Sequence, residues 1–364
     1  MIELNKKISM KQAVVLLLAM TYSPSLRFEP LTSIKYAKQA AWLSPLISSL
    51  ILLLLVFVID RIYKKYKDKE VSLMDIIYNV FGKIGGKVTV FLFLIYTSIN
   101  LAYYARIYCE RFASNIFINV DIKVFLITML IFIAVVLRHG LVVIARMGEI
   151  IFAVLLCLFI TITILGIPNI VFYRLTPIST DDILPIVKGS MGSTGIYTFF
   201  TLIFLFSDKI SNISAIKKTG IQLTTFYTMV IPVLVAGILG TLGYSTVQRS
   251  LDPFLISVKL ISLFDTIERI ESVVVAIWVF SDFVLLCMFT YINIHLIKSL
   301  FNLKEEKYVY NIYLSFIFVF ALGFIGSKFE LEDFAEAFLL PLNLFFTLIL
   351  PILIFLVGKL RRKV

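Results

Sequence analysis

Charge is scarce in this chain. Only 16% of its 364 residues are Asp, Glu, Lys or Arg, where a soluble domain usually carries about 25%. Histidine is nearly absent, with only His139 and His295. Two scattered imidazoles cannot form a zinc site. The three cysteines, Cys109, Cys157 and Cys287, sit in or beside apolar runs, and their spacing makes no disulfide framework and no metal motif. Missing too are a nucleophile–base pair, a Walker loop and a dinucleotide fingerprint. The cluster GKIGGK at 82–87 lacks the P-loop pattern and leads into an apolar segment. These gaps exclude most enzyme classes, and no cofactor or metal is expected.

Apolar residues fill the space. They make up 60% of the chain, and the mean hydropathy is +0.98. A water-soluble fold of this length could not hide that surface, whereas a bilayer accepts it. The net charge of +11 does not point to nucleic acid, because the basic residues fall between apolar segments and form no patch. They read as topology signals and contacts with anionic membrane lipids. Lys6, Lys7 and Lys11 precede the apolar stretch 13–20 as in a signal peptide, but no small-x-small cleavage site follows.

Ten segments are long and apolar enough for membrane helices, near 10–34, 40–61, 87–112, 122–137, 141–166, 185–207, 220–243, 270–297, 309–326 and 335–358. Only Arg138, His139 and Gly140 separate the fourth from the fifth, which predicts a tight helical hairpin. Most of the 34 Lys and Arg fall on one side if the N-terminus is cytoplasmic. The excess places both termini inside. Residues 71–84 have apolar positions at helical spacing, with Asp75 and Lys83 between them. They read as an amphipathic cytoplasmic helix or as an extension of the third segment.

Two segments contain signals for broken helices, whose freed backbone groups can bind a ligand. In the first, Thr21-Tyr22-Ser23-Pro24-Ser25 interrupts the apolar run, and Arg27, Glu29 and Pro30 follow. In the sixth, Gly189-Ser190-Met191-Gly192-Ser193-Thr194-Gly195 precedes the run 196–206, which contains Thr198 and Thr201. The alternative is that this glycine stretch is only the loop entering the helix. If the ten segments divide as five plus five, with halves 9–166 and 183–358, the breaks open each half. That layout suggests an all-α integral membrane fold, a transporter-like 5+5 inverted repeat with broken helices 1 and 6. The candidate ligand-binding residues are Tyr22, Ser23, Ser25, Arg27, Ser193, Thr194, Thr198 and Thr201.

Ionisable residues inside apolar segments are costly, so each is a site candidate. Arg27 could pair with Glu29, meet a ligand carboxylate or snorkel to the surface. Arg106 with Glu110, and Arg146 with Glu149, have the spacing of structural pairs. Asp282, after Trp278 and Ser281, has no partner nearby in sequence. It is either a proton- or cation-linked group or a helix–helix hydrogen bond.

The run Phe264-Asp265-Thr266-Ile267-Glu268-Arg269-Ile270-Glu271-Ser272, leading to Trp278, resembles the signature of spore germination receptor B subunits. These belong to the endospore germination permeases of the amino-acid–polyamine–organocation transporter superfamily. Supporting matches are Ile8-Ser9 with Gln12, Ala41-Trp42, Ala145-Arg146-Met147-Gly148-Glu149 and Leu184-Pro185. Length and segment count agree, so the resemblance spans essentially the whole chain. It implies that the chain binds a small amino-acid-like germinant. It also implies assembly with an A subunit and a lipoprotein C subunit in the spore inner membrane. Glu268, Arg269 and Glu271 would order the outer mouth or a subunit contact. The chain departs from the family in the bulk of Tyr22, Pro24 and Arg27, and in lacking an acid among residues 197–201. A free-standing amino-acid or cation-coupled transporter, and an assembly subunit without a working ligand site, are the competing readings, because fold alone does not choose among them.

Overall fold

The computed structural model describes residues 7–66, 70–115, 120–250, 252–261, 270–303, 307–323 and 328–364. Its long helices follow the ten sequence segments. They are α1 (Met10–Ala37), α2 (Ser44–Lys64), α3 (Leu73–Asn115), α4 (Ile122–Leu137), α5 (Leu141–Gly166), α6 (Ile183–Tyr197), α7 (Ile216–Leu242), α8 (Ile270–Phe301) and α9 (Lys307–Gly323). The tenth, α10, runs from Lys328 to Leu360 as three α-helical pieces joined by π turns at Ala335–Leu339 and Phe345–Ile349.

Seven helical stretches among the described residues are long and apolar enough to cross a membrane. The first, Met10–Lys64, contains both α1 and α2, and α4 and α9 are shorter apolar helices. Large apolar side chains point outward from the bundle, among them Leu50, Phe132, Ile150, Met229 and Val319. Water would penalise such a surface and lipid would not.

The N-terminal end is fixed by local chemistry. Ser9 and Gln12 form a capping box: Gln12 N–H donates to Ser9 Oγ at 3.1 Å, and Ser9 N–H donates to Gln12 Oε1 at 3.0 Å. Such caps contribute about 1 kcal/mol. Just before it, β1 (Ile8–Ser9) pairs in parallel with β2 (Ile210–Ser211), which follows the sixth span. The start of the first span is thereby tied to the end of the sixth, and α1 and α6 pack along each other at the centre.

The expected hairpin between α4 and α5 is present, with Gly140 at φ 84° making the turn. Gly82, at φ 80°, divides α3 into a leading helix from Leu73 and the long span. The leading helix buries Ile76, Ile77 and Val80. Asn79 and Val80 there meet the C-terminal end, accepting hydrogen bonds from Lys363 and Arg361.

The two expected breaks take a different form. In α1 the backbone stays helical through Pro24, but its hydrogen-bond ladder is opened. The Ser281 hydroxyl accepts from Ser23 N–H at 2.9 Å and donates to the Ala19 carbonyl at 2.7 Å. An unbroken helix would join those two groups directly. Pro24 supplies no N–H for the next rung.

In the sixth span the glycine stretch 189–195 is helical, and the irregularity lies downstream. A turn at Thr198–Phe199 follows α6. A short helix, Phe200–Ile203, then gives way to a 3-10 segment that departs from helical geometry at Phe206 (φ −122°, ψ 29°). The glycines serve close packing. A Cβ at Gly189 would stand 3.1 Å from the Ser33 carbonyl oxygen, and one at Gly192 would collide with Thr32.

Candidate functional site

The helix contacts at the centre sort the polar residues of α1 into groups facing different partners. Ser23 faces α8. Its hydroxyl donates to Asp282 Oδ1 at 2.5 Å and accepts from Arg111 Nη1 at 3.2 Å. Arg111 also pairs with Asp282 Oδ2 at 2.5 Å, and its guanidinium stacks on Trp278, 3.9 Å from the ring centroid. Arg111 and Asp282 are 2% and 4% exposed, so water does not screen the pair. Asp282 thus has a partner far away in sequence. Three spans, α1, α3 and α8, meet in one polar knot capped by an aromatic face.

One turn further along α1, Ser25 and Glu29 face α6. Glu29 is fully buried, and the Ser25 and Ser193 hydroxyls adjoin its carboxylate. Neither carboxylate oxygen and neither hydroxyl makes a hydrogen bond of acceptable geometry. Tyr22 and Ser25 also border a small apolar cavity against Phe152 of α5 and Tyr227 of α7.

Arg27 faces outward along the bundle and pairs with Glu332 at 2.8 Å, with Asp252 at 4.0 Å. Of the partners open in the sequence it takes neither Glu29 nor the surface, being only 2% exposed. Glu332 lines a cavity of about 510 Å³ between α1, α6 and α10. The cavity wall includes Phe28, Thr32, Lys35, Tyr104, Gly192, Gln248, Asp333, Glu336 and Asn343. Lys35 bonds Glu336 at 2.5 Å on its rim.

Asn343 carries the wall into the bundle. It accepts from Tyr96 Oη at 3.0 Å, and Thr347 Oγ1 donates to its carbonyl at 2.6 Å. Thr347 shares a hydrogen bond of 2.7 Å with Thr198, and Thr201 donates to its backbone carbonyl at 2.5 Å. These contacts hold the irregular part of the sixth span against the second π turn of α10. Thr194 donates to Ser190 O within its own helix.

The eight ligand candidates therefore share no common cavity: Ser23 faces α8, Arg27 faces Glu332, Tyr22 and Ser25 border the small cavity, and Thr198 and Thr201 face α10. The 510 Å³ cavity is walled by their neighbours. Arg106 and Glu110 pair as expected, at 2.9 Å. Arg146 and Glu149 do not: Glu149 turns toward α1 and accepts from Gln12 Nε2 at 3.4 Å, while Arg146 is exposed. Glu268 and Arg269 lie outside the described residues. Glu271 is in the first turn of α8, and its side chain is likewise outside the description. Arg111, Thr347 and the acidic row of α10 escaped sequence reasoning. For Arg111 a signal existed: an arginine near the end of an apolar segment requires a countercharge, and Asp282 is the acid in the middle of the eighth segment.

A family model described as spore germination protein matches residues 7–328. The chain belongs to the spore germination permease family. The chain is 24% identical over 349 residues to the putative spore germination protein YfkT of Bacillus subtilis (strain 168), covering 93% of this chain and 92% of that one. It is thus a germination-related, multi-pass membrane protein. Among solved structures, MhsT in complex with L-phenylalanine superposes with TM-score 0.69 at 12% identity, covering 97% of this chain and 89% of that one. Mhp1, a nucleobase-cation-symport-1 family transporter, superposes with TM-score 0.67 at 10% identity, covering 96% and 78%. The chain thus has the fold of these membrane transporters, as the broken-helix pattern of its first and sixth spans suggested.

Proposed function

We propose that this chain is the germinant-binding membrane subunit of a nutrient receptor, taking a small zwitterionic ligand into the cavity between α1, α6 and α10. The supporting observation is the cavity wall. It carries a cation, Lys35, and a row of acids, Glu332, Asp333 and Glu336, over an aromatic and aliphatic lining. A volume of about 510 Å³ suits a small molecule, and charges of both signs suit an amine and a carboxylate on one ligand. MhsT, of similar fold, was solved with an amino acid bound. Ser25, Arg27, Ser193 and the other candidates at the α1–α6 interface then act behind the cavity. They respond to the ligand through the packing of the two helices.

In this reading the subunit sits in the spore inner membrane with both ends cytoplasmic, and it works with an A subunit and a lipoprotein C subunit. Glu268, Arg269 and Glu271 contribute to an outer contact. The test is a germinant dose series on spores carrying Phe28→Ala or Asp333→Lys. Both variants should raise the half-maximal germinant concentration while leaving protein abundance unchanged. Dose curves that overlay wild type for every effective germinant would refute the cavity assignment.

The fold supports a second reading, a free-standing transporter. Net uptake of a germinant by the purified chain in vesicles, without partner subunits, would favour it. Binding without uptake favours the receptor.

A further inference from the structure

The cluster GKIGGK at 82–87 has no part in the outer cavity, yet the fold gives it a definite setting. Gly82, at φ 80°, ends the leading helix of α3, and the long span begins at Lys83. Gly86 lets the leading helix pack closely on the start of the span, because a Cβ there would stand 2.8 Å from the Tyr78 Cα. Lys83 and Lys87 are i,i+4 neighbours, and both are exposed. Beside and beyond them runs an exposed apolar stripe at helical spacing: Ile84, Val88, Phe91, Leu92 and Ile95, from 82% exposed at Ile84 to 42% at Ile95. Between those two residues the helix rises about 17 Å. That is close to one leaflet of a hydrocarbon core about 30 Å thick.

Leu300 and Phe301, at the end of α8, stand across from this stripe. With Ile84, Val88 and Phe91 they wall an open groove of about 460 Å³, which Lys83 and Lys87 border where the span starts. The wall is apolar. A lysine lays its stem along such a wall and carries its ammonium out to the level of the lipid headgroups. Lys7, Lys35, Lys123 and Lys209 each pair with a carboxylate. Lys83 and Lys87 have none within salt-bridge distance among the described residues, and no carboxylate lines the groove. Two unneutralised cations beside an apolar groove on a lipid-facing stripe match an anion with a hydrocarbon tail. We infer that this groove binds one anionic phospholipid, its phosphate held by Lys83 and Lys87 and an acyl chain laid along Val88, Phe91 and Phe301. A zwitterionic headgroup brings its own cation and gains less from the two lysines. A soluble anion gains nothing from the apolar wall. The leading helix joins the span at this point and accepts hydrogen bonds from Arg361 and Lys363. The lipid thus anchors the corner where the C-terminal end meets α3. The site stands whether the chain senses or transports.

The experiment uses the purified full-length chain in detergent, titrated with phosphatidylglycerol, phosphatidylcholine or glycerol phosphate. Bound molecules are counted by native mass spectrometry. Wild type should saturate a first site with one phosphatidylglycerol, more tightly than with phosphatidylcholine, and glycerol phosphate should not compete. A basic residue beside an anionic headgroup is worth about fivefold in affinity. Lys83→Gln with Lys87→Gln should therefore weaken the first site about thirtyfold and abolish the preference for phosphatidylglycerol. Val88→Trp fills the groove, keeps both lysines and should also lose the first site. Lys217→Gln with Lys218→Gln, two exposed charges at the start of α7, should leave it unchanged. All these side chains are exposed, so unfolding temperatures should match wild type. Should the Lys83/Lys87 variant lose folded yield, Val88→Trp decides by its own loss. Equal affinity for the two lipids, or an equal loss in the α7 control, would overturn the site. Competition by glycerol phosphate, or an unchanged first site in Val88→Trp, would leave a bare phosphate contact and overturn the lipid.

Discussion

Asp282 and Glu29 are two carboxylates sunk in the centre of one bundle, and the fold treats them oppositely. Asp282 takes a guanidinium, a hydroxyl and the shelter of Trp278. Glu29, less than two turns beyond Ser23 along α1, has hydroxyl neighbours and no countercharge from the described residues. A closed set of partners makes Asp282 a fastener between three spans. An open set leaves Glu29 with no such tie to a charged group among the described residues. Burial is common to both, so the difference rests on the completeness of the partner set.

The contrast is broken most severely at the fastener. Asp282→Ala leaves Arg111 buried without its carboxylate and should cost about 3–5 kcal/mol, read as a lower unfolding temperature and reduced folded yield. If the loss is no greater than for a surface substitution, the knot is not structural. Gly192→Val comes next. Its side chain must displace Thr32 where α1 and α6 touch, at a cost of about 1–3 kcal/mol. An unfolding temperature equal to wild type would show that the helices separate freely.

Ser281→Ala should cost about 1 kcal/mol, since Ser23 N–H and the Ala19 carbonyl can recover part of the loss by bonding to each other. A cost as large as that of Asp282→Ala would mean the opened turn of α1 depends on this one hydroxyl. Lys35→Ala, on the cavity rim, removes a half-exposed pair and should change stability by less than about 1 kcal/mol. It should nonetheless shift the germinant dose curve to higher concentration. A stability change without a dose shift would make the rim pair purely structural. The smallest stability effect belongs to Glu29→Gln, at or near zero, because no countercharge among the described residues loses its partner. A large loss there would give Glu29 the role of Asp282 and erase the comparison.

Much of the helical architecture was legible in the chain. Apolar length sets the spans, and Arg138-His139-Gly140 sets the hairpin, because a bilayer leaves few other ways to satisfy a backbone. Pro24 between Ser23 and Ser25 marked the opened turn of α1 correctly in position. What it could not show was the Ser281 hydroxyl, contributed from α8, that bridges the opening while the helix continues. The glycines of the sixth segment misled as to form. Glycine permits both irregular backbone and close helix contact, and only the position of Thr32 and Ser33 opposite them selects contact.

The sequence by itself determined that this is a helical membrane protein, where its spans run and, through the Glu268–Trp278 run, which family it resembles. Those conclusions rest on local quantities: hydropathy, turn chemistry and residue order. Which charges neutralise one another was decided only by the tertiary structure. Arg111 finds Asp282, and Arg27 finds Glu332 rather than Glu29, across more than a hundred residues of chain. Helix packing fixes those encounters, and in a low-dielectric interior the identity of the partner decides whether a buried charge fastens helices together.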